Sequence, residues 1–544
     1  MWRAKRLYHV SVPPISQFKP LPQFKLKCGL EIHTQLNTKN KLFSRSVNDP
    51  FRSADTPNLH TTFFDLALPG TQPLLNYEAI LYAAKLALSL ESNVNLNSQF
   101  DRKHYFYGDQ PLGYQITQHF SPFASGGQLS LLQDIDDIDE KVKDIRITQL
   151  QIEQDTGKSL YRKCDLVTLI DLNRSNVPLV ELVTEPDFEN LKQIKAFLKK
   201  YQNLVRHLGV STGDLESGAM RVDVNLSIND HARVELKNLP NTSSIMNAIK
   251  YEYQRQITIM RNGKAEEMLS KAETRGWTGS STVKLRNKET TIDYRYMPDP
   301  ELPRVVLSPD VITNIQKTMP PLPDEVLQGF VSAPYFLSLK DAKILCLSSN
   351  GQGEIYNHAE LQNYYVETFK FFVDGVKSRA AKMRSQTSKL PTNWIIHELL
   401  GDLNKLQLPL SKLAAYLTPR VFADFLMLIH DAKISSSSGK LLLFHILKNF
   451  QESNYDISKP VDFDSLIDEY DMRLIKHIDP SELKQICRDI IGGLNNEKLI
   501  NDIVSGKKRN SIKYLVGQGM KLSQGRIQAQ QFEKTFKEIL NVKW

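Results

Sequence analysis

Leu30-Glu31-Ile32-His33-Thr34-Gln35 sets a carboxylate, an imidazole and an amide at every second position. In an extended chain alternate side chains face opposite ways, so Glu31, His33 and Gln35 share one face and Ile32 takes the other. The same alternation recurs in Leu150-Gln151-Ile152-Glu153-Gln154-Asp155, where Gln151, Glu153 and Asp155 oppose Ile152. In Arg221-Val222-Asp223-Val224-Asn225-Leu226 the polar face is Arg221, Asp223 and Asn225. Glu181 stands inside Leu179-Val180-Glu181-Leu182-Val183, a run so apolar that its carboxylate needs a cation, a donor or a proton. Taken singly, each stretch also fits an antiparallel strand with an ordinary solvated face. As neighbours in one sheet they would gather several carboxylates around one imidazole. Such hard donors, with no cysteine among them, suit Mg²⁺ bridging protein carboxylates to phosphates.

Around these strands, Lys25 to Pro303 reads as mixed helix and strand. Within it, Leu191, Ile194, Leu198, Tyr201, Val205 and Leu208 follow helical spacing, and Gly209 stands where a C-terminal cap belongs. A second helical pattern occupies about Tyr251–Met260. After Pro320, Pro321 and Pro323 the pattern turns almost wholly helical, and the serine run Ser435–Ser438 reads as a short loop. The chain of 544 residues exceeds what one core supports, so about three domains are expected. The fold class is α+β: a mixed α/β domain over 26–305, an all-α domain over 310–460 and a small basic helical domain over 470–544.

With 41% apolar and 24% charged residues, the composition is that of an ordinary folded protein. No window reaches the roughly 18 uninterrupted apolar residues of a membrane helix. From Asn501 to Trp544 nine Lys or Arg face three Asp or Glu, as in a polyanion-binding module or a solvated helix face. Cys28, Cys164, Cys346 and Cys487 show no paired spacing, which suits a reducing compartment. Residues 1–25 contain Arg3, Lys5, Arg6 and Lys19 and no acid, which predicts a mitochondrial presequence over a merely disordered start.

Two phosphate-loop look-alikes fail. Thr156-Gly157-Lys158-Ser159 has Ile152 in place of the leading glycine, and Gly439-Lys440 is followed by Leu441. ATP, if used, is bound by another architecture. Val283-Lys284-Leu285-Arg286-Asn287-Lys288, followed by Asp293-Tyr294-Arg295-Tyr296, offers a cationic face to a triphosphate or RNA, or else a solvated edge strand guarded by lysine. Phe100-Asp101-Arg102-Lys103-His104-Tyr105-Phe106-Tyr107 interleaves cations and aromatics in a way that suits a nucleotide or the terminal bases of a tRNA. For Phe100 and Phe106 a core edge is the expected place.

Residues 28–303 closely resemble the catalytic portion of the GatB family, the B subunits of glutamyl-tRNA(Gln) amidotransferases, which implies a cradle-like domain. The matching blocks are Gly29-Leu30-Glu31-Ile32-His33, Phe100-Asp101-Arg102-Lys103, Asp171-Leu172-Asn173-Arg174 through Glu185-Pro186-Asp187, Glu235-Leu236-Lys237-Asn238-Leu239, Glu273-Thr274-Arg275-Gly276-Trp277 and Asp293-Tyr294-Arg295-Tyr296. Tyr514-Leu515-Val516-Gly517-Gln518-Gly519-Met520-Lys521 is similar to the family's tRNA-contacting tail.

The resemblance implies an ATP-dependent carbon–nitrogen ligase that takes its amido nitrogen from glutamine, within a complex in the mitochondrial matrix. ATP would phosphorylate the glutamate of Glu-tRNA(Gln), and ammonia from a partner would displace the phosphate. A carboxylate is a poor acylating agent, so phosphorylation supplies the leaving group while Mg²⁺ neutralises charge. Glu31, His33, Glu153 and Glu181 look like the family's metal-associated positions and are the expected catalytic residues, and Glu216 and Asp223 join them as further metal candidates. Lys158, Arg221, Lys237 and Arg295 are the candidate phosphate contacts. The partners implied are an A-type amidase, a small third subunit of C or F type, and Glu-tRNA(Gln). The chain itself has no amidase signature such as a Gly/Ser-rich stretch with a Ser-Ser-Lys set. Many members carry a four-cysteine zinc site; here Ser44 and Ser46 hold the first pair's places and no Cys occurs from 29 to 163, so no zinc is expected and packing must hold that loop. A Glu-Glu pair of the family is Glu153-Gln154 here. A noncatalytic tRNA-binding scaffold, with structural carboxylates, is the alternative.

Overall fold

The computed structural model describes residues 18–49, 56–162, 164, 166–264, 266, 269–287, 294–347, 356–378, 389–452, 461–475, 478–494, 497–507, 509–523 and 525–542. Arg3, Lys5, Arg6, Lys288 and Asp293 lie outside these residues. The chain divides into two compact units, Met1–Glu325 and Val326–Trp544.

In the first unit the alternating stretches become neighbours in a ten-stranded sheet. Its main strands are β1 (Leu26–Gln35), β2 (Val142–Gln154), β3 (Pro178–Thr184), β4 (Met220–Ile228), β5 (Val234–Lys237), β6 (Glu273–Trp277) and β7 (Thr282–Asn287). They lie in the order β7-β6-β5-β4-β1-β3-β2, and only β5 and β6 run parallel to each other among these pairs. The strand that carries Glu31 and His33 is therefore central, with acidic stretches on both sides. The cationic stretch from Val283 is β7, at the sheet's end, paired along one side with β6.

The apolar side of the alternation is dry: Ile32, Ile152, Val180, Leu182 and Val224 are fully buried. They share one core with two helices, α1 (Leu191–His207) and α2 (Thr242–Arg261). Asn190 caps α1 by accepting from the Gln193 amide, and Gly209 follows it at φ +69°, a left-handed conformation that glycine adopts without strain. Asn241 caps α2 in the same way through Ser244, so that helix begins well before the Tyr251 expected from spacing. A hydroxyl pair, Thr34 to Tyr201 at 2.9 Å, ties β1 to α1 within the core.

The loop that carries Ser44 and Ser46 is held by a buried polar network as well as by packing. Asp65 accepts from Ser44 Oγ at 3.1 Å, from the Thr62 amide at 2.7 Å and from Asn176 Nδ2 at 2.8 Å. Lys41, as fully buried as Asp65, stands 3.6 Å from it and donates to the Leu172 carbonyl. Burial pulls the Lys41 ammonium down to about 8, against the opposing charge of Asp65. The expectation of packing alone missed this network because its members lie far apart in sequence.

The second unit is helical. His358–Ser378 and Pro419–His430 bury Tyr365, Phe372, Phe422 and Phe425. The serine run is not a loop: Ser435 caps a helix by accepting from the Ser438 amide, and Ser436 to Ser438 form its first turn. Serine side chains satisfy the exposed amides of a helix start, so the composition that reads as a loop here reads better as a cap. The last helices, Pro480–Gly493, Ile512–Leu522 and Ala529–Ile539, close on their own small core of Leu483, Cys487, Leu515, Phe532 and Phe536. Gly519 belongs there because a Cβ would come within 2.8 Å of the Phe532 ring.

Replacing Asp65 by Ala leaves the Lys41 ammonium buried without its counter-charge. The expected cost is about 3–5 kcal/mol, read as a lower denaturation midpoint. An unchanged midpoint would show that the Asp65 network does not hold this loop.

Candidate functional site

Register fixes what the polar face presents. His33 of β1 lies opposite Glu181 of β3 on one side and Arg221 of β4 on the other. Glu31 opposes Asp223, and Glu181 in turn opposes Gln151 of β2. Glu153 lies one step further along β2, opposite Leu179, which is itself opposite Gln35. Two acidic groups result. In the first, His33, Glu153 and Glu181 bring ligand atoms within 4.8 Å of one another; in the second, Glu31, Asp223 and Glu235 do the same.

The first group is an electrostatic unit. His33 Nδ1 is 2.8 Å from Glu153 Oε1, and Nε2 is 4.0 Å from Glu181 Oε1. Burial works against the imidazolium, but the two carboxylates outweigh it and lift the His33 pKa to about 9. Burial and the charge of Glu153 push Glu181 up to about 7. Glu153 is pulled the other way: burial would raise it, yet His33 holds it below the usual carboxylate range.

Around this unit lies an open cavity of about 790 Å³ whose lining includes His33, Glu153, Glu181, Glu216, Asp223, Lys158, Arg221 and Lys237. Glu31 and Arg295 are not among its lining residues; Glu31 lies in the second acidic group, and the Arg295 carbonyl accepts from His104 Nδ1 at 2.9 Å. Two of the expected phosphate contacts already hold carboxylates. Arg221 bonds the buried Asp155 at 2.7 Å, and Lys237 bonds Asp223 at 2.5 Å with Glu235 at 3.4 Å. Arg174 also reaches Asp155, at 3.6 Å, and donates to the Thr156 and Gly157 carbonyls. These arginines hold the Asp155 carboxyl below its usual range despite burial.

Several side chains of the site do not stand out in the sequence. Glu235 completes the second acidic group, and the alternation in Val234-Glu235-Leu236-Lys237 is the signal that pairs it with Lys237 on one face. Arg174 and Asp155 belong to motif stretches, but their pairing rests on strands that the sequence does not show to be adjacent. Gln154, by alternation, falls on the buried side of β2 and is fully buried, so it does not join Glu153 in the site. The aromatic segment splits: Phe100 is buried as expected, whereas Phe106 is 83% exposed because the strand that begins at Asp101 ends at His104 and the chain turns outward.

Comparison with known proteins finds family matches over both parts of the chain. Residues 26–313 match the GatB/GatE catalytic domain, and residues 378–540 match the GatB domain. Among curated relatives, a protein of Zygosaccharomyces rouxii is 72% identical over 99% of both chains. One of Saccharomyces cerevisiae is 62% identical over 96% of both chains, and one of Kluyveromyces lactis 60% identical over 97% of both. Each is described as the mitochondrial B subunit of glutamyl-tRNA(Gln) amidotransferase.

Because the folded state keeps the His33 proton beyond its ordinary value of 6.5, the stabilisation from this pair is complete below about 6.5 and is lost as pH rises through about 9. Histidine-ring NMR of the metal-free chain should show the His33 imidazole titrating well above the ordinary histidine value, and Glu153→Gln should bring it down. An unshifted titration in that variant would mean that Glu153 does not hold the charge.

Proposed function

The chain belongs to the GatB family, and we propose from that premise that the cleft around His33, Glu153 and Glu181 is where the glutamyl group of a mischarged tRNA is activated. The protein works in mitochondria as the B subunit of a glutamyl-tRNA(Gln) amidotransferase, a glutamine-dependent ligase that acts within a complex. The observation that carries the site assignment is the convergence of one imidazole and two carboxylates from three adjacent strands on a cavity otherwise rich in cations.

The residues suit ATP and Mg²⁺. His33, Glu153 and Glu181, with Glu31, Asp223 and Glu216 nearby, offer hard oxygen and nitrogen donors and no thiol, a set that fits Mg²⁺. When bound, Mg²⁺ would neutralise charge on the phosphates during transfer. Three buried polar atoms of cavity-lining residues, Gln35 Oε1, Ser217 Oγ and Arg221 Nε, have no hydrogen-bond partner among the described residues. Lys158, Arg221 and Lys237 stand where they can meet phosphate oxygens, and Arg295 is proposed as an outer contact. Zinc is not part of this reading: Ser44 replaces a thiolate and is already spent on Asp65.

The reaction is then positioning and charge balance. The glutamyl carboxylate attacks the γ-phosphorus of ATP, the bond to ADP breaks, and an acyl phosphate forms. Ammonia adds to the acyl carbon, phosphate leaves with the C–O bond electrons, and the extra proton passes to a base. Glu181, where it is not engaged by the metal, has a raised proton affinity that suits it to accept that proton. The ammonia must come from an amidase partner of A type, with a small third subunit completing the complex, because the chain carries no amidase nucleophile set.

In single turnover with Glu-tRNA(Gln), Mg²⁺ and γ-labelled ATP, the wild-type complex should release phosphate and form Gln-tRNA(Gln). Glu153→Gln should bind tRNA normally and do neither, with a loss of at least about 100-fold, as removal of a positioned acid–base or charge-stabilising group costs. Normal turnover by the variant would return the carboxylates to a structural role and make this protein a tRNA-binding scaffold.

A further inference from the structure

Beside the cleft lies an aromatic cluster that the activation chemistry does not use. The strand Asp101–His104 pairs with Tyr114–Thr117 on one side and Met297–Pro298 on the other. His119 and Phe120 follow the one partner, and Tyr294 and Tyr296 precede the other. Tyr296 stacks on His119 with centroids 3.8 Å apart and planes 10° from parallel. Phe120 meets these rings edge-on at 4.9 and 6.4 Å, and Tyr294 meets Tyr296 edge-on at 5.9 Å.

Two links tie the cluster to the cleft. Lys103 lines the cleft with Glu153 and Glu181, and its ammonium stands 4.9 Å over the Tyr294 ring. Tyr296 is also close enough to Glu181 and Glu153 for their charges to add to the effect of burial on its hydroxyl.

The cluster is held in place although it is open to solvent. Phe120 is 60% exposed, yet its amide donates to the buried Asp101 at 2.8 Å. His104 donates its amide to the Tyr294 carbonyl, and Asp299 donates its own to the Phe100 carbonyl. Stacked rings with free edges, set beside an ammonium, are a surface on which a nucleobase stacks while a lysine meets the adjoining phosphate.

We propose that His119, Phe120 and Tyr296 form the stacking platform for the 3′-terminal adenine of the aminoacyl-tRNA, holding the base at the rim while the ester-linked glutamyl group enters the cleft. This rests on the cleft being the activating site. The openness of the platform favours a base that ends a macromolecule and arrives from outside. An ATP whose γ-phosphate lies among the cleft's cations does not need an outer ring surface for its base.

The test uses the complete amidotransferase complex with ammonium as nitrogen donor, so that the partner's glutaminase is bypassed. Phe120→Ala and His119→Ala should raise KM for Glu-tRNA(Gln) at least about fivefold, the lower end of what one base stack contributes, and leave KM for ATP unchanged. Phe120→Trp, which keeps an aromatic face, should stay near wild type. A rise in KM for ATP alone would assign the rings to ATP's adenine and overturn the proposal, as would no change in either constant. A tRNA ending in 2-aminopurine gives a readout independent of catalysis: its fluorescence should be quenched by the wild-type complex and less so by Phe120→Ala. If Glu153→Gln amidates like the wild type while the wild type still quenches and Phe120→Ala quenches less, the activating-site reading fails and the platform stands. Equal quenching by wild type and variant would overturn the platform.

Discussion

The antiparallel register of β1 with β3 and β4 is the constraint on which the site depends. Pairing His33 with Glu181 and Arg221 sets Glu31 against Asp223 two residues away. Side chains alternate with a period of two, so a slip of one residue would turn His33 into the core and Ile32 into the cleft. The core forbids that slip, because Ile32, Val180 and Val224 are fully buried against the helices and their exchange for charged groups would leave unpaired charges in a dry interior. Packing on one face of the sheet therefore specifies chemistry on the other.

Much of this was legible because alternation is local. Glu31, His33, Glu153, Glu181 and Asp223 could be assigned to polar faces from stretches of six residues or fewer, and α1 was readable from its apolar spacing and the glycine after it. What local patterns do not carry is which strands meet. Arg221 bonds Asp155 across 66 residues, and Lys41 meets Asp65 through a fold that also recruits Asn176 from 111 residues away. Charge alone suggested that Arg221 and Lys237 face a ligand; the carboxylates that already hold them come from other strands or depend on the register. Phe106 and the serine run failed for a different reason. A ring at the end of a strand and a hydroxyl at the start of a helix have two ordinary environments each, and only tertiary context selects one.

The cluster is nearly self-neutralising. Imidazolium stands against Glu153 and Glu181, the Lys237 ammonium against Asp223 and Glu235, and two guanidiniums against Asp155. Without such pairing, these five carboxylates, carried by four neighbouring segments of the sheet, would repel one another strongly in a partly buried setting. The pairing explains how the cleft is stable before any ligand arrives.

It also sets what a divalent cation has to do. A cation in the first group would compete with the His33 proton, and one in the second would compete with Lys237. Displacement from the second group would leave the Lys237 ammonium without its carboxylates, and a phosphate is a partner of the right sign. Metal and nucleotide would then support each other's binding without a large movement of the backbone, because the exchange is among side chains that already share one face of one sheet. On the proposed reading the carboxylates would have two occupancies, one supplied by the protein's own cations and one by metal with phosphate. The difference between them is a redistribution of the same charges.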